Sequence, residues 1–334
     1  MTNLATKYLG LQLKSPLVVS AGPLCRELDN LKKLEDAHAA AVVLHSLFEE
    51  QIDLESQQLD DSLWQASDVS AEAQNYYPEL EASAALGPNE YLEHIAKAKA
   101  ALKIPVIASL NGSSKGGWTG YAKLMQEAGA DALELNIYFL ASDSKEDAAA
   151  IENRYIELVQ EVKGSVKIPV AVKIGPYFSS IANIGKRIGE AGADALVLFN
   201  RFYQPDFNLE TMQVEPQLVL SNSSELTLRL HWAAILFDQI KADLAITGGV
   251  HTAVDVVKSM MAGARVTLMT SALLQEGIGH MRAVEDNLVQ WLDEHEYESV
   301  AQMQGSMSFK HVEHPAAFQR ANYMKTLHSY SFDK

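Results

Sequence analysis

The chain has 334 residues and a single cysteine, Cys25. One cysteine excludes a disulfide framework and an iron-sulfur cluster held by the chain's own thiolates, and it is typical of a reducing compartment. No stretch of about 18 or more apolar residues runs without charge, as a transmembrane helix would require. The N-terminal stretch also lacks the basic start, unbroken apolar run and cleavage site of a signal peptide. We therefore expect a cytoplasmic protein with no membrane segment.

Positive charge is also scarce. The sequence has 27 Lys and Arg against 43 Asp and Glu, which gives a formal net charge of −16. Such a surface repels phosphate backbones and anionic membranes, so we expect no nucleic-acid partner. The histidines lack the spacing of metal ligands, and no metal site is predicted. With 48% hydrophobic residues, the composition fits a globular chain with a large core.

One phrase recurs along the sequence. It stands as EAGADALELN at 127–136, as EAGADALVLFN at 190–200 and, more weakly, as MAGARVTLMT at 261–270. Each copy indicates the end of a helix, a glycine stop, a buried strand and a polar residue where the strand ends. The repeat therefore predicts one βα unit used several times.

The same pattern predicts eight strands that alternate with helices. The expected strands are 17–21, 41–46, 106–112, 132–136, 170–174, 195–200, 244–250 and 266–271. This alternation is typical of a (β/α)₈ TIM barrel, an α/β fold. A doubly wound open sheet is the alternative, but no strand is followed by the G-x-G-x-x-G turn of a dinucleotide-binding sheet. We predict a single domain with excursions at about 47–88 and 201–224, after strands two and six, and a helical tail at about 295–334.

Polar residues at the strand ends should meet at the carboxyl-terminal mouth of such a barrel. Lys173 is the most informative, because its strand VAVKI is otherwise apolar. A lysine there must be paired, must contact something anionic or electron-rich, or must reach water at the mouth. Gly248 with Gly249 and Thr270 with Ser271 favour a phosphate site after strands seven and eight, although a glycine pair in a tight turn would have the same sequence.

The segments AVVLHS, ALELN, VAVKIGPYF, LVLFN, ITGGV and TSALLQEG resemble the dihydroorotate dehydrogenases, which are FMN-dependent (β/α)₈ barrels. The resemblance spans essentially the whole chain. It implies an oxidoreductase of pyrimidine biosynthesis that transfers hydride between FMN and a small planar substrate, dihydroorotate or a related compound. It also implies a homodimer, from the family's habit of dimerising.

The resemblance gives roles to individual residues. Lys173 would lie against the pyrimidine edge of the flavin, where a cation favours the anionic reduced form. Asn136 and Asn200 would be amide contacts to flavin and substrate. The further FMN contacts implied are Ala21 and Gly22 near the isoalloxazine, His45 and Ser46 at the end of strand two, Asn111, and Gly248, Gly249, Thr270 and Ser271 at the phosphate.

The sequence departs from the family after Asn136. The family typically continues through a Cys or Ser that takes a proton from dihydroorotate, whereas this chain has Ile137-Tyr138-Phe139, and Phe139 cannot be a base. Tyr138 is the candidate replacement in the catalytic set with Lys173, Asn136 and Asn200, although a free phenol titrates near pH 10.

Weaker candidates for the base are Ser142, Asp143 and Cys25. Asp143 would more often cap a helix, and Cys25 would more often be a small buried hydrophobe. The family's substrate loop after strand two is not recognisable, with Asn75 a poor substitute. Two alternatives therefore stay open: a flavin-binding protein without the dihydroorotate reaction, and a phosphate-binding barrel lyase or aldolase with Lys173 as Schiff-base nucleophile.

Overall fold

The computed structural model describes residues 2–54, 87–114, 116 and 119–329. Most of the first predicted excursion, including Asn75, lies outside the described residues. The described part of the tail contains the α-helices Val300–Met303 and Ala321–His328 and a 3-10 helix, Pro315–Phe318, between them. No helix in the described ranges is both long enough and apolar enough to cross a membrane. The single-domain organisation stays a prediction.

Eight parallel strands close into a barrel, and we number them one to eight in chain order. They are Leu17–Val19, Ala41–Phe48, Val106–Gly112, Ala132–Ile137, Val170–Ile174, Ala195–Leu198, Asp243–Thr247 and Val266–Met269. Each strand pairs with the next, and strand eight pairs with strand one. This closure confirms the predicted (β/α)₈ barrel and excludes the open sheet.

Helices cover the outside of the barrel. Those before strand eight are Leu28–Asp36, Pro88–Ala101, Gly120–Glu127, Ala148–Ser165, Ile181–Glu190, Leu226–Leu236 and Ala253–Ala262, and strand eight is followed by Ser271–Glu276 and His280–Glu294. Their apolar faces pack against the outward side chains of the strands. In Ile181–Glu190, for example, Ile181, Ile184 and Ile188 recur at helical spacing and are buried.

The repeated phrase has a structural basis that includes its aspartate. Asp131, before strand four, accepts a hydrogen bond from the backbone N–H of Val106 at 2.7 Å and pairs with Lys99 at 2.6 Å. Asp194 does the same before strand six, with the N–H of Val170 at 2.8 Å and an ion pair to Lys163. Each aspartate thus links its own strand to the start of the preceding strand and to the helix that leads into that preceding strand.

A hairpin closes the amino-terminal end of the barrel. Its strands Thr6–Tyr8 and Leu11–Leu13 pair in antiparallel fashion. Leu9 and Gly10 form the turn, with φ of 53° and 75°. Tyr8, Leu9 and Leu13 are buried against small inward side chains such as Ala41. The sequence pattern did not predict this hairpin, because three-residue strands are too short to show an alternation.

The second excursion is more ordered than the irregular polar stretch expected at 201–224. Strands Asp206–Asn208 and Gln213–Glu215 form a two-stranded antiparallel hairpin. Its apolar side chains face solvent, with Met212 85% exposed. Because these strands bury no face, they lack the hydrophobic alternation from which a strand is recognised.

Candidate active site

The carboxyl ends of the strands surround a cavity of about 510 Å³. Its size is ordinary for a small-molecule or cofactor site. The residues of the predicted site that line it are Ala21, Gly22, Ser46, Asn111, Asn136, Tyr138, Lys173, Asn200, Gly248, Gly249, Thr270 and Ser271. The structure thus brings together every predicted site residue except His45.

Amide groups and a cation form one side of the cavity. Asn111, Asn136 and Lys173 are register partners on strands three, four and five, so their side chains stand in a row. Asn200 follows strand six after a cis peptide bond between Leu198 and Phe199. Its side-chain nitrogen donates to the Oδ1 of Asn136 at 2.7 Å. This side therefore offers amide donors and acceptors beside a positive charge.

Lys173 has a buried acidic partner that the sequence analysis missed. Its Nζ lies 3.4 Å from the Oε1 of Glu134, and the two side chains are 9% and 1% exposed. Glu134 stands two residues before Asn136 on strand four, so both face the barrel interior. The signal was present in ALELN, where one acid interrupts a buried strand just as Lys173 interrupts VAVKI.

His45 does not line the cavity, and a register shift in strand two explains why. The pairing with strand three shifts between Val43 and Ser46, which marks a β-bulge. The bulge changes the alternation, so Ser46 lines the cavity while His45 packs outside the barrel on Tyr91, with ring centroids 5.0 Å apart. The Nδ1 of His45 is buried and has no hydrogen-bond partner.

The environment of His45 disfavours its charged form. Burial, together with the nearby charges of His94 and Arg26, lowers the pKa of His45 from 6.5 to about 4. At neutral pH its imidazole is therefore uncharged, and it presents no cation toward the mouth of the barrel.

The opposite side of the cavity is built from close backbone contacts after strands one, seven and eight. Gly248 and Gly249 both have positive φ, and a Cβ on Gly249 would lie 2.5 Å from the backbone nitrogen of Leu226. A Cβ on Gly22 would lie 2.7 Å from the Cγ2 of Thr270. Glycine is therefore required at both places for the turns to approach each other.

Ser221, which the sequence analysis did not single out, bridges these turns. Its Oγ accepts from the backbone N–H of Gly249 at 3.3 Å, and its own N–H donates to the Oγ of Ser271 at 3.2 Å. The Oγ also lies 3.1 Å from the Nε2 of His251. Hydroxyls and backbone N–H groups thus converge here at the start of helix Ser271–Glu276, a donor set suited to a phosphate group.

The candidate bases differ in whether they line the cavity. Tyr138 lines the cavity and stacks on Phe202, with ring centroids 4.7 Å apart. Burial raises the pKa of its phenol above the ordinary value of 10.0. Phe139 lies under the guanidinium of Arg154, at 4.6 Å from its ring centroid.

The weaker candidates lie away from the cavity. Ser142 and Asp143 are exposed, and Asp147 rather than Asp143 caps the following helix by accepting from the N–H of Ala150. Cys25 is fully buried, and burial raises the pKa of its thiol to about 12. Of these residues, Tyr138 alone has a titratable group at the cavity.

An arginine fastens the excursion that covers the mouth. The Nε and Nη2 of Arg201 each donate to the carboxylate of Glu225 at 3.0 Å. Arg201 also donates to the carbonyl of Val219. Both ends of the 201–224 segment are thereby joined, and its Tyr203 and Leu220 become part of the cavity wall. This pair is not recognisable in the sequence, because its partners are 24 residues apart.

Comparison with known proteins gives consistent matches. Residues 84–292 match the family model described as dihydroorotate dehydrogenase. The catalytic subunit of dihydroorotate dehydrogenase B (NAD(+)) of Thermoplasma volcanium is 27% identical over 317 residues, which cover 91% of this chain and 98% of the relative. The protein of the same name from Thermoplasma acidophilum is 26% identical, over 91% of this chain and 99% of the relative. That from Methanocaldococcus jannaschii is 24% identical, over 87% and 94%.

Proposed function

The chain belongs to the dihydroorotate dehydrogenase family, and we propose that it binds FMN in the barrel cavity and oxidises dihydroorotate or a closely related small planar substrate. It is an oxidoreductase that acts on CH–CH groups. When bound, the flavin would accept the hydride from the substrate carbon. The chain's own residues would bind and orient both molecules and move the accompanying proton.

The observation that carries the proposal is the row of Lys173, Asn136 and Asn111 at the cavity wall. A flavin presents carbonyl oxygens and ring nitrogens along its pyrimidine edge, which amides and an ammonium group can bind. A cation beside that edge stabilises negative charge that develops on reduction. The chemistry of these side chains therefore fits the cofactor.

The opposite side of the cavity fits the cofactor's phosphate. The hydroxyls of Ser221 and Ser271 lie together at one place, and each hydroxyl oxygen accepts a backbone N–H, which leaves its own O–H group to donate. FMN has a planar ring system at one end and a phosphate at the other, and this cavity offers amides with a cation at one side and phosphate donors at the other. Both ends of the molecule have suitable partners.

Tyr138 is the group we propose for proton transfer to and from the substrate. Of the candidate bases named from the sequence, it is the one that lines the cavity, and its stacking on Phe202 fixes the direction of the ring. Because burial raises the pKa of its phenol, the base form is scarce at neutral pH, and we expect slow oxidation that accelerates in alkaline solution.

The aldolase alternative receives less support from the structure. A Schiff base requires a free Nζ on Lys173, but this Nζ is paired with the buried carboxylate of Glu134, and forming the Schiff base would give up that pair. Reduction with borohydride in the presence of a carbonyl substrate should therefore leave Lys173 unmodified in flavin-free protein.

The test is to purify the protein and record its visible spectrum, before and after addition of FMN. We expect a flavin spectrum and reduction of that flavin by dihydroorotate under anaerobic conditions. Protein that stays colourless and does not bind added FMN would refute the cofactor. Bound flavin that dithionite reduces but dihydroorotate does not would refute the substrate and leave a flavin-binding protein.

Oligomeric state and cellular location are also part of the proposed function. We propose a homodimer, following the family resemblance, and a cytoplasmic protein, since its single cysteine Cys25 is buried as a thiol. Analytical ultracentrifugation of the purified protein tests the dimer, and a monomer at micromolar concentration would exclude it. Fractionation of the source cells tests the location.

A further inference from the structure

Glu134 is a deeply buried acidic side chain in the barrel interior, with 1% of its surface exposed. It is flanked in register by Ser109 on strand three and Ala171 on strand five. Ala171 is too short to cover it, so the long side chain of Lys173 from the next inward position can reach it. The resulting ion pair places the Nζ 3.4 Å from the Oε1.

A carboxylate in this position is costly unless a cation compensates it. Two phenols also interact with it, those of Tyr8 and Tyr91. Burial, and then the negative charges of Glu134 and Asp243, raises the pKa of Tyr8 well above its ordinary value, so this phenol stays neutral and supplies no positive charge. Burial likewise raises the pKa of Tyr91, with a smaller contribution from Glu134. Lys173 is therefore the group that balances the charge of Glu134 within the described part of the chain.

The pairing also acts on Lys173. A lysine side chain has four rotatable bonds, and at the cavity wall its ammonium could extend toward the open mouth. The carboxylate of Glu134 lies one inward position below, so the ion pair holds the ammonium group away from the open mouth.

We propose that Glu134 is a positioning residue for Lys173: its carboxylate holds the ammonium group at the cavity wall, 3.4 Å from its Oε1. The lysine then presents a fixed cation to whatever occupies the cavity. The meaning of this cation for flavin chemistry rests on the proposed function, but the pairing itself can be tested in protein without cofactor.

The experiment measures the rate at which trinitrobenzenesulfonate labels Lys173 in cofactor-stripped, full-length protein, quantified by peptide mass spectrometry. This reagent attacks neutral amines only. The variants are Glu134→Gln, Glu134→Asp and the matched control Glu127→Gln, whose side chain is 55% exposed on the preceding helix. Rates are recorded from about pH 6 to about pH 10, a range that brackets the onset of amine deprotonation.

We expect Glu134→Gln to label Lys173 at least about fivefold faster than wild type near pH 8, because the amine is no longer held against the carboxylate and is free to meet the reagent. Glu134→Asp retains a carboxylate and should fall between the two, and Glu127→Gln should match wild type. Circular dichroism checks that each variant is folded. If Glu134→Gln does not fold, the labelling rates of Glu134→Asp and wild type are compared instead, and a faster rate in Glu134→Asp supports the role of Glu134.

Profiles that coincide for wild type and the folded Glu134 variants would overturn the inference. Titration of the same wild-type sample with FMN separates this result from the proposed function. Failure to bind FMN refutes the cofactor while leaving the labelling result valid, and normal FMN binding with unchanged labelling refutes the pairing alone.

Discussion

The side-chain nitrogen of Asn200 donates to the amide oxygen of Asn136 at 2.7 Å. The two residues end the two best copies of the sequence repeat, 64 positions apart. Because strands four and six are separated only by strand five, the repeat brings its two terminal amides together beside Lys173. The same unit that builds the barrel therefore also builds the amide side of the cavity.

Removing either amide should weaken FMN binding. Asn136→Ala deletes a side chain that contacts Asn200 and lines the cavity, and we expect the dissociation constant for FMN to rise about tenfold, corresponding to about 1.4 kcal/mol for a buried polar contact. Fluorescence quenching of FMN by the stripped protein measures this. Ser142→Ala, at an exposed site, is the control and should bind as wild type does. Equal affinities for all three proteins would place the flavin elsewhere.

Lys173→Met should change the redox balance of the bound flavin. Without the cation, the anionic reduced form loses stabilisation relative to the oxidised form. We expect the preference for reduced over oxidised flavin to fall at least tenfold, a decrease of about 30 mV for a two-electron couple. Spectroelectrochemical titration gives the potential, with Lys186→Met on an exposed helix face as control. An unchanged potential in Lys173→Met would show that this lysine does not contact the flavin.

Tyr138→Phe should remove proton transfer while preserving the stacking on Phe202. Burial raises the pKa of the Tyr138 phenol above 10.0, so the fraction of base form rises with pH throughout the neutral and moderately alkaline range. The rate of flavin reduction by dihydroorotate should therefore rise about tenfold per pH unit in wild type. Tyr138→Phe should be slower by about 10²-fold and largely independent of pH. Stopped-flow absorbance follows the reaction, and a flat wild-type profile would exclude Tyr138 as base.

Asp131→Ala should destabilise the barrel. Its carboxylate binds the N–H of Val106 and the ammonium of Lys99, and hydrogen bonds to charged groups contribute about 2 kcal/mol to the free energy of unfolding. Asp194→Ala should cost less, because that side chain is 39% exposed against 27% for Asp131. Urea denaturation measures both. Glu93→Ala breaks an exposed helical pair and should change stability by about 0.5 kcal/mol or less. If Asp131→Ala lowers the free energy of unfolding no more than Glu93→Ala does, the aspartate of the repeat does not stabilise the barrel.

The sequence was sufficient to predict the barrel because its signals are local and repeated. Glycines such as Gly129, with φ of 102°, end helices, and a short apolar strand begins three residues later; this order recurs often enough to identify the fold. Strand-end residues such as Lys173 and Asn136 then converge because every strand of a closed parallel barrel ends at the same rim. Once the barrel is predicted, most residues of the candidate site can therefore be predicted as well.

The features that escaped prediction depend on contacts between distant residues or on irregular backbone. The partners Arg201 and Glu225 meet only because the excursion folds back on itself. Glu134 was recognisable as an oddity in its strand, but its pairing with Lys173 follows from the register of strands four and five. The position of His45 depends on a bulge that no residue type in AVVLHS indicates.

The buried His45 should make stability depend on pH. Its pKa is about 4 in the folded protein, lowered first by burial and then by His94 and Arg26, against about 6.5 in an unfolded chain. Between these values the unfolded chain binds a proton that the folded protein does not. The free energy of unfolding therefore falls as pH decreases from about 6.5 to about 4, by up to about 3 kcal/mol from this residue.

His45→Phe tests this dependence, since it keeps an aromatic ring against Tyr91 and cannot be protonated. Urea denaturation at pH 7 and at pH 4.5 should show a smaller loss of stability for His45→Phe than for wild type. The exposed His314→Phe serves as the matched control and should lose as much stability as wild type. Identical pH dependence in all three proteins would show that His45 is not held neutral by its surroundings.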